Sequence, residues 1–168
     1  MTERQRFLLL DSCVILDFLK ADDRLFSLIS RFVGEVYIAD ELFVEIRNHF
    51  NVVTPEELGL RMVRVEFEDV VEAQIRSEGS RLSDKDYICL LTARRQRWTC
   101  VTNDRRLCNE CERENVDYMR GLRLLVELFR VGGIDYDAVR DVARSIRETN
   151  PWLKDDVLER FYTMLDEI

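Results

Sequence analysis

The first apolar run, in "RFLLL" at 6–10, is short and unbroken, the mark of a strand buried on both faces, and it ends at Asp11. The spacing then changes. "CVILDFLK" at 13–20 carries apolar residues at helical intervals, with Ser12 expected as the N-cap. A second amphipathic helix is expected over "DDRLFSLISRFV" at 22–33, closed by Gly34. "EVYIA" at 35–39 reads as a strand, and "DELFVEIRNHF" at 40–50 as a helix opened by Asp40. "RMVRVEF" at 61–67 alternates like a strand, or packs as an edge segment. Helical patterns return in "EDVVEAQIRSEG", which stops at Gly79, and in "LSDKDYICLLTARRQR", with Ser83 as N-cap and an apolar face from Tyr87 to Ala93. The strand "WTCVT", the helix "NDRRLCNECEREN", the short strand "VDYM" and the helix "GLRLLVELFRVGG" follow. Two further helices, near Tyr136–Glu148 and Asp155–Glu167, complete the pattern.

Strands that alternate with helices predict an α/β fold with a mainly parallel sheet flanked by helices. In such sheets functional groups collect beyond the carboxyl ends of the strands. With 168 residues, 46% apolar, two prolines and six glycines, the chain suits one compact domain and leaves no room for a flexible linker. The start "MTERQRF" is polar and lacks a signal-peptide pattern, and no apolar run nears the ~18 residues a membrane span needs. A soluble, cytoplasmic protein without a membrane partner is expected. The five cysteines, mostly within apolar stretches, fit buried thiols better than a disulfide framework.

Four carboxylates meet the sheet-edge rule. Asp11 ends the first strand, and Asp104 lies just past "WTCVT". Glu45 sits about two turns into the helix after the second strand, and Asp86 in the first turn of the helix opened by "LSDKD". Each alone is explained by helix capping, a favourable first-turn charge or a solvated helix face. Together they form a set of like charges that needs a cation. Hard oxygen donors without a neighbouring histidine or thiolate favour Mg²⁺ or Mn²⁺ over zinc. Such an ion activates water and stabilises charge on a phosphoryl group, so the chemistry implied is phosphodiester hydrolysis. The net charge of −8 speaks against a general nucleic-acid binder but not against a nucleic-acid enzyme.

With these residues in view, the sequence resembles the PIN-domain ribonucleases. "LLLDSCVILDFL" is similar to the opening strand, aspartate, small hydroxyl residue and apolar helix of that family. "VYIADELFVEI" is similar to its second strand and glutamate-bearing helix, with the register on Glu45 rather than Glu41. "LSDKDYICLLTA" and "CVTNDRRL" are similar to its later aspartate segments and bring in Asp86, Thr102 and Asp104. The resemblance runs from about residue 7 to about residue 130. It implies a PIN-like three-layer fold over 1–133, with 134–168 a helical extension packed on the same domain. It also implies Asp11, Glu45, Asp86 and Asp104 as the catalytic and metal-binding acids of a Mg²⁺- or Mn²⁺-dependent endoribonuclease acting on RNA. Many such single-domain chains resemble the VapC-type toxins of toxin–antitoxin pairs, held inactive by a small antitoxin protein and often homodimeric. Asp40, where the family often has proline or a small residue, and the two added helices depart from that pattern.

Within this reading Asp11, Asp86 and Asp104 coordinate the ion, and Glu45 is a further ligand or orients the attacking water. Ser12 and Thr102 hydrogen-bond the carboxylates or act as simple caps. Asn103 holds phosphate or shapes a turn, and Arg105 and Arg106 are the better candidates for gripping phosphate oxygens. Arg94, Arg95 and Arg97 are read as charge at a helix C-terminus. The pair Cys108 and Cys111 is a weak zinc signal without a second ligand pair. His49, the single histidine, is expected at the surface; Asp17 is expected to face away from the site; and Trp152 is expected to anchor the last helix by packing, with stacking on a base as the alternative that no motif supports. The competing reading is a catalytically inactive PIN-like module that binds RNA or protein. An aspartyl phosphatase is disfavoured because Cys13 stands where its second acid belongs.

Overall fold

The computed structural model describes residues 5–51 and 54–168. The first four residues of the polar start lie outside the described residues. Five strands, β1 (Phe7–Leu10), β2 (Glu35–Ala39), β3 (Arg61–Val63), β4 (Thr99–Val101) and β5 (Tyr118–Met119), form one sheet among the described residues. The alternation predicts a mainly parallel sheet; this one is parallel throughout. Between and after the strands run α1 (Ser12–Ala21), α2 (Leu25–Phe32), α3 (Asp40–Phe50), α4 (Phe67–Ser77), α5 (Asp84–Gln96), α6 (Arg105–Arg113), α7 (Gly121–Arg130), α8 (Tyr136–Thr149) and α9 (Asp155–Asp166). A single 3-10 turn at Pro55–Leu58, which the hydrophobic pattern does not mark, leads into β3.

The strand order is β3-β2-β1-β4-β5. The chain therefore moves outward from β1 in one direction through β2 and β3, then returns to β1 and moves outward the other way. Right-handed crossovers in opposite directions put helices on opposite faces of the sheet, giving the three-layer α/β arrangement. Accordingly α5 packs with α4 and α6, while α1 packs with α3 and α8. The two C-terminal helices are part of this packing: α8 lies on α1, and α9 on α7 and α8.

β1 is the central strand, which explains its unbroken run: Leu8, Leu9 and Leu10 are fully buried. Its neighbours are β2 on one side and β4 on the other, so the sheet reverses its winding beside β1. A crevice opens beyond the carboxyl ends of strands at such a switch point. β1 ends at Asp11, and the Asp11 N–H continues the ladder to Val101 O of β4 at 2.9 Å. The edge segment "RMVRVEF" pairs over only three residues, as the edge strand β3. Four of the five cysteines are buried, and all five are free thiols. No helix among the described residues is long and apolar enough to cross a membrane.

Candidate active site

One cleft of about 490 Å³ lies at this switch point, and Asp11, Glu45, Asp86 and Asp104 all line it. Each reaches it by a short local route. β1 delivers Asp11, the turn after β4 delivers Asp104, the second turn of α3 delivers Glu45, and the first turn of α5 delivers Asp86.

All three aspartates are also helix-capping groups. Asp11, not Ser12, is the N-cap of α1: its Oδ1 accepts the Ser12 N–H at 2.8 Å, and Ser12 is already the first helical residue. The strand leads straight into the helix, so the last extended residue takes the capping position. Asp104 caps α6, its Oδ1 accepting from the N–H groups of Arg106 at 2.7 Å and Leu107 at 3.3 Å. Asp86 completes a capping box with Ser83, its Oδ2 accepting the Ser83 N–H at 2.8 Å and hydroxyl at 2.9 Å. Capping occupies one oxygen each of Asp86 and Asp104. Among the described residues no hydrogen bond ends on Asp86 Oδ1 or Asp104 Oδ2. The N-termini of α1, α5 and α6 therefore meet at the cleft, and their partial positive charges offset part of the repulsion among the acids. The same ends suit a phosphate group.

Asp11 is the most enclosed of the set, at 5% exposure. Its Oδ2 accepts from the Thr102 hydroxyl at 2.9 Å and the Cys13 thiol at 3.3 Å. Burial pushes its pKa up, and the nearby Asp86 charge raises it further, against the opposing hydrogen bonds from Cys13, Thr102 and Ser12. The Thr102 Oγ1 also accepts the Asp104 N–H at 3.1 Å, so one fully buried hydroxyl ties two of the acids together. Burial and the Asp11 charge push the Cys13 thiol up, so it serves as a neutral donor. Ser12 lines the cleft and reaches Asp11 through its backbone N–H.

Glu45 has a neighbour the sequence reading does not single out. The Lys85 ammonium stands 3.4 Å from Glu45 Oε2 and lines the same cleft. Its position between Asp84 and Asp86, in the first turn of α5, is the signal that could have found it. Arg105 lines the cleft. Arg106, exposed, contributes its backbone N–H to the Asp104 cap instead.

Asn103 is held on both sides of its amide. Its Oδ1 accepts the Gly121 N–H at 2.9 Å, and its Nδ2 donates to Asp17 Oδ2 at 3.4 Å. A Cβ at Gly121 would stand 3.1 Å from Asn103 Oδ1, so the close approach of α7 to this turn favours glycine. Asp17, expected to face away from the site, does not line the cleft; it lies buried behind the cleft wall, where Asn150 Nδ2 also donates to it at 3.0 Å. Residues 133 positions apart meet in that bond, which helical periodicity cannot show. Trp152, expected to pack, is 88% exposed at the rim of the cleft, and Asn150 Oδ1 accepts its backbone N–H at 3.0 Å.

Other candidates lie elsewhere. Arg95 pairs with Asp69 at 2.7 Å and Arg94 with Glu114 at 2.8 Å, tying α5 to α4 and α6. His49 is exposed in the last turn of α3. Cys108 and Cys111 are buried, and burial pushes the Cys108 thiol up to about 11.

The donor set fits a hard divalent cation in type and charge: carboxylate oxygens, with a desolvated Asp11 beside a like charge. Among the described residues, however, no three His, Cys, Asp or Glu side chains already stand as a metal-holding group. No protein-family model matches the chain, and no curated protein matches it in sequence.

Proposed function

We propose that the chain is a divalent-metal-dependent endoribonuclease of PIN type, hydrolysing RNA phosphodiester bonds with Mg²⁺ or Mn²⁺. The observation that carries this reading is the convergence of four carboxylates from four elements at one sheet switch point, with unbonded oxygens on Asp86 and Asp104. Asp11, Asp86 and Asp104 would hold the ion, and Glu45 either joins them or orients water. A divalent ion bound there supplies charge neutralisation at phosphate and lowers the pKa of a water. The protein's own groups do the rest. Thr102 fixes Asp11 and the start of α6 relative to each other. Lys85 and Arg105 offer cationic contacts to phosphate oxygens at the cleft. The N-termini of α1 and α6 donate first-turn N–H groups to Asp11 and Asp104, which fixes those carboxylates at the cleft. By the resemblance of its sequence, the chain is the toxin half of a toxin–antitoxin pair, with a small protein antitoxin and a homodimeric state.

A second reading, an inactive RNA- or protein-binding module, is favoured by the Glu45–Lys85 pair, which supplies a protein cation where a metal would otherwise serve. Incubating the full chain with structured and unstructured RNAs separates the two. The nuclease reading expects internal cleavage that needs Mn²⁺ or Mg²⁺ and stops with chelator. RNA left intact at every metal concentration, or cleavage indifferent to chelator, removes it. The toxin assignment is tested by the adjacent reading frames, one of which should encode a short protein that blocks cleavage.

A further inference from the structure

A second cavity, of about 130 Å³, opens directly beside the acidic cleft. Asn103, Asn150 and Trp152 line both, so the two share a wall and a rim. Its remaining lining is largely apolar, with Phe18 of α1, Leu122 of α7 and Ile146 of α8 facing one another across it. An apolar cavity of about 150 Å³ is enough to take a single benzene ring. The space is thus of the right order for one flat aromatic group.

The polar edge of the cavity is specific. Asp17 is only 7% exposed, and both amide donors, from Asn103 and Asn150, end on its Oδ2. Among the described residues no hydrogen bond ends on Asp17 Oδ1, and that oxygen is not sealed from solvent, so a ligand donor entering the cavity can reach it. Arg120 lines the same cavity and brings a cation. At the lip stands Trp152, an exposed indole whose backbone is pinned by Asn150. An isolated exposed aromatic needs no explanation, but one at the shared rim of a phosphate-type cleft and a ring-sized cavity offers a stacking face.

We infer that this cavity holds a nucleobase of the RNA next to the scissile phosphate, with Trp152 stacking on it and Asp17 accepting from its exocyclic amino group. The inference rests on the reading of the acidic cleft as a phosphodiester site. Adenine, cytosine and guanine offer Asp17 an exocyclic amino donor; uracil has carbonyl oxygens in those positions and offers only its ring N3–H, so it should bind less well. Base recognition of this kind targets unpaired nucleotides, so the preferred substrate is a single-stranded loop or tail.

The test uses the full chain with labelled oligoadenylate, oligocytidylate and oligouridylate of about ten nucleotides, within the usual size of single-strand sites. Binding is read by anisotropy in chelator, and cleavage kinetics in Mn²⁺. Trp152→Ala is expected to weaken binding of oligoadenylate about five- to a hundredfold, the range for losing one base stack on an aromatic ring. It should raise KM by a similar factor with kcat largely kept, and Trp152→Phe should restore most of the loss. Asp17→Asn should erase the preference for adenine and cytosine over uracil, provided its melting temperature shows that it folds. Unchanged binding in Trp152→Ala, or equal affinity of the wild type for all three oligomers, overturns the inference. Binding that depends on Trp152 without any cleavage keeps the base pocket and sinks the nuclease reading; cleavage indifferent to Trp152 does the opposite. If neither single-stranded RNA nor DNA binds, the pocket belongs to another occupant, such as a peptide, and the inference falls.

Discussion

Asp11 is the most enclosed acid of the site. An unfolded aspartate ionises near pH ~3.9. In the folded chain burial and the Asp86 charge delay that ionisation to higher pH. Between the two values the folded state binds more protons than the unfolded one, so this group's contribution to stability falls as pH rises through that window. Without metal, the melting temperature relative to that of Asp11→Asn should therefore fall as pH rises above ~4. Asp17, also raised by burial, adds a slope of the same sign. Asp11→Asn should flatten the decline and melt higher than wild type at neutral pH in chelator; a slope as steep as wild type would contradict this account of Asp11. Asp11 and Asp104 are visible in the sequence because each follows the apolar run of a strand, and Asp86 because it opens an apolar helix; Glu45, in the middle of α3, is reached only by its register after the second strand. Asp17 is not visible, because a charge every few residues is what any helix with one solvated face shows. Only Asn150, brought back by α8, reveals its position.

At the scale of elements, the same residues that cap helices aim the chemistry. Ser83 is the clearest case, since its hydroxyl both accepts the Asp86 N–H at 3.2 Å and donates to Asp86 Oδ2 at 2.9 Å. Ser83→Ala removes a cap worth about 1 kcal/mol, a fall of roughly 2–4 °C in a domain of this size. It also removes one of the two hydrogen bonds that hold Asp86 Oδ2, leaving only the Ser83 N–H, so cleavage should drop more than stability alone explains; full activity at the lowered melting temperature would show that the Ser83 hydroxyl does not position Asp86. This cap is legible because Ser83 followed by an acid three residues later is a local signal. Between Asp11 and Ser12 the same rule cannot choose, since aspartate and serine cap about equally well; the cap falls on Asp11 because strand and helix abut without a loop.

For the whole molecule, the order β3-β2-β1-β4-β5 is what turns four separate acids into one cleft. Alternating strands and helices announce a parallel sheet, but strand order depends on which way each crossover turns, and no local pattern encodes that. The role of the last two helices is likewise hidden, because α8 acts through a distant contact with α1. If the cleft holds an ion, binding should stabilise the fold by about 2.7 kcal/mol at a free metal concentration a hundredfold above Kd. Mn²⁺ should raise the melting temperature of the wild type and not of Asp11→Asn/Asp104→Asn; equal shifts would place the ion elsewhere. The most direct measurement is RNA cleavage in Mn²⁺ by wild type and by Asp104→Asn, compared under single-turnover conditions with folding checked in parallel. Asparagine keeps a side-chain oxygen for the α6 cap while removing the charge, so the prediction is a folded protein whose cleavage is at least about a hundredfold slower, on the scale of losing a key electrostatic group. Equal cleavage by the two proteins, or none by either, would contradict the account.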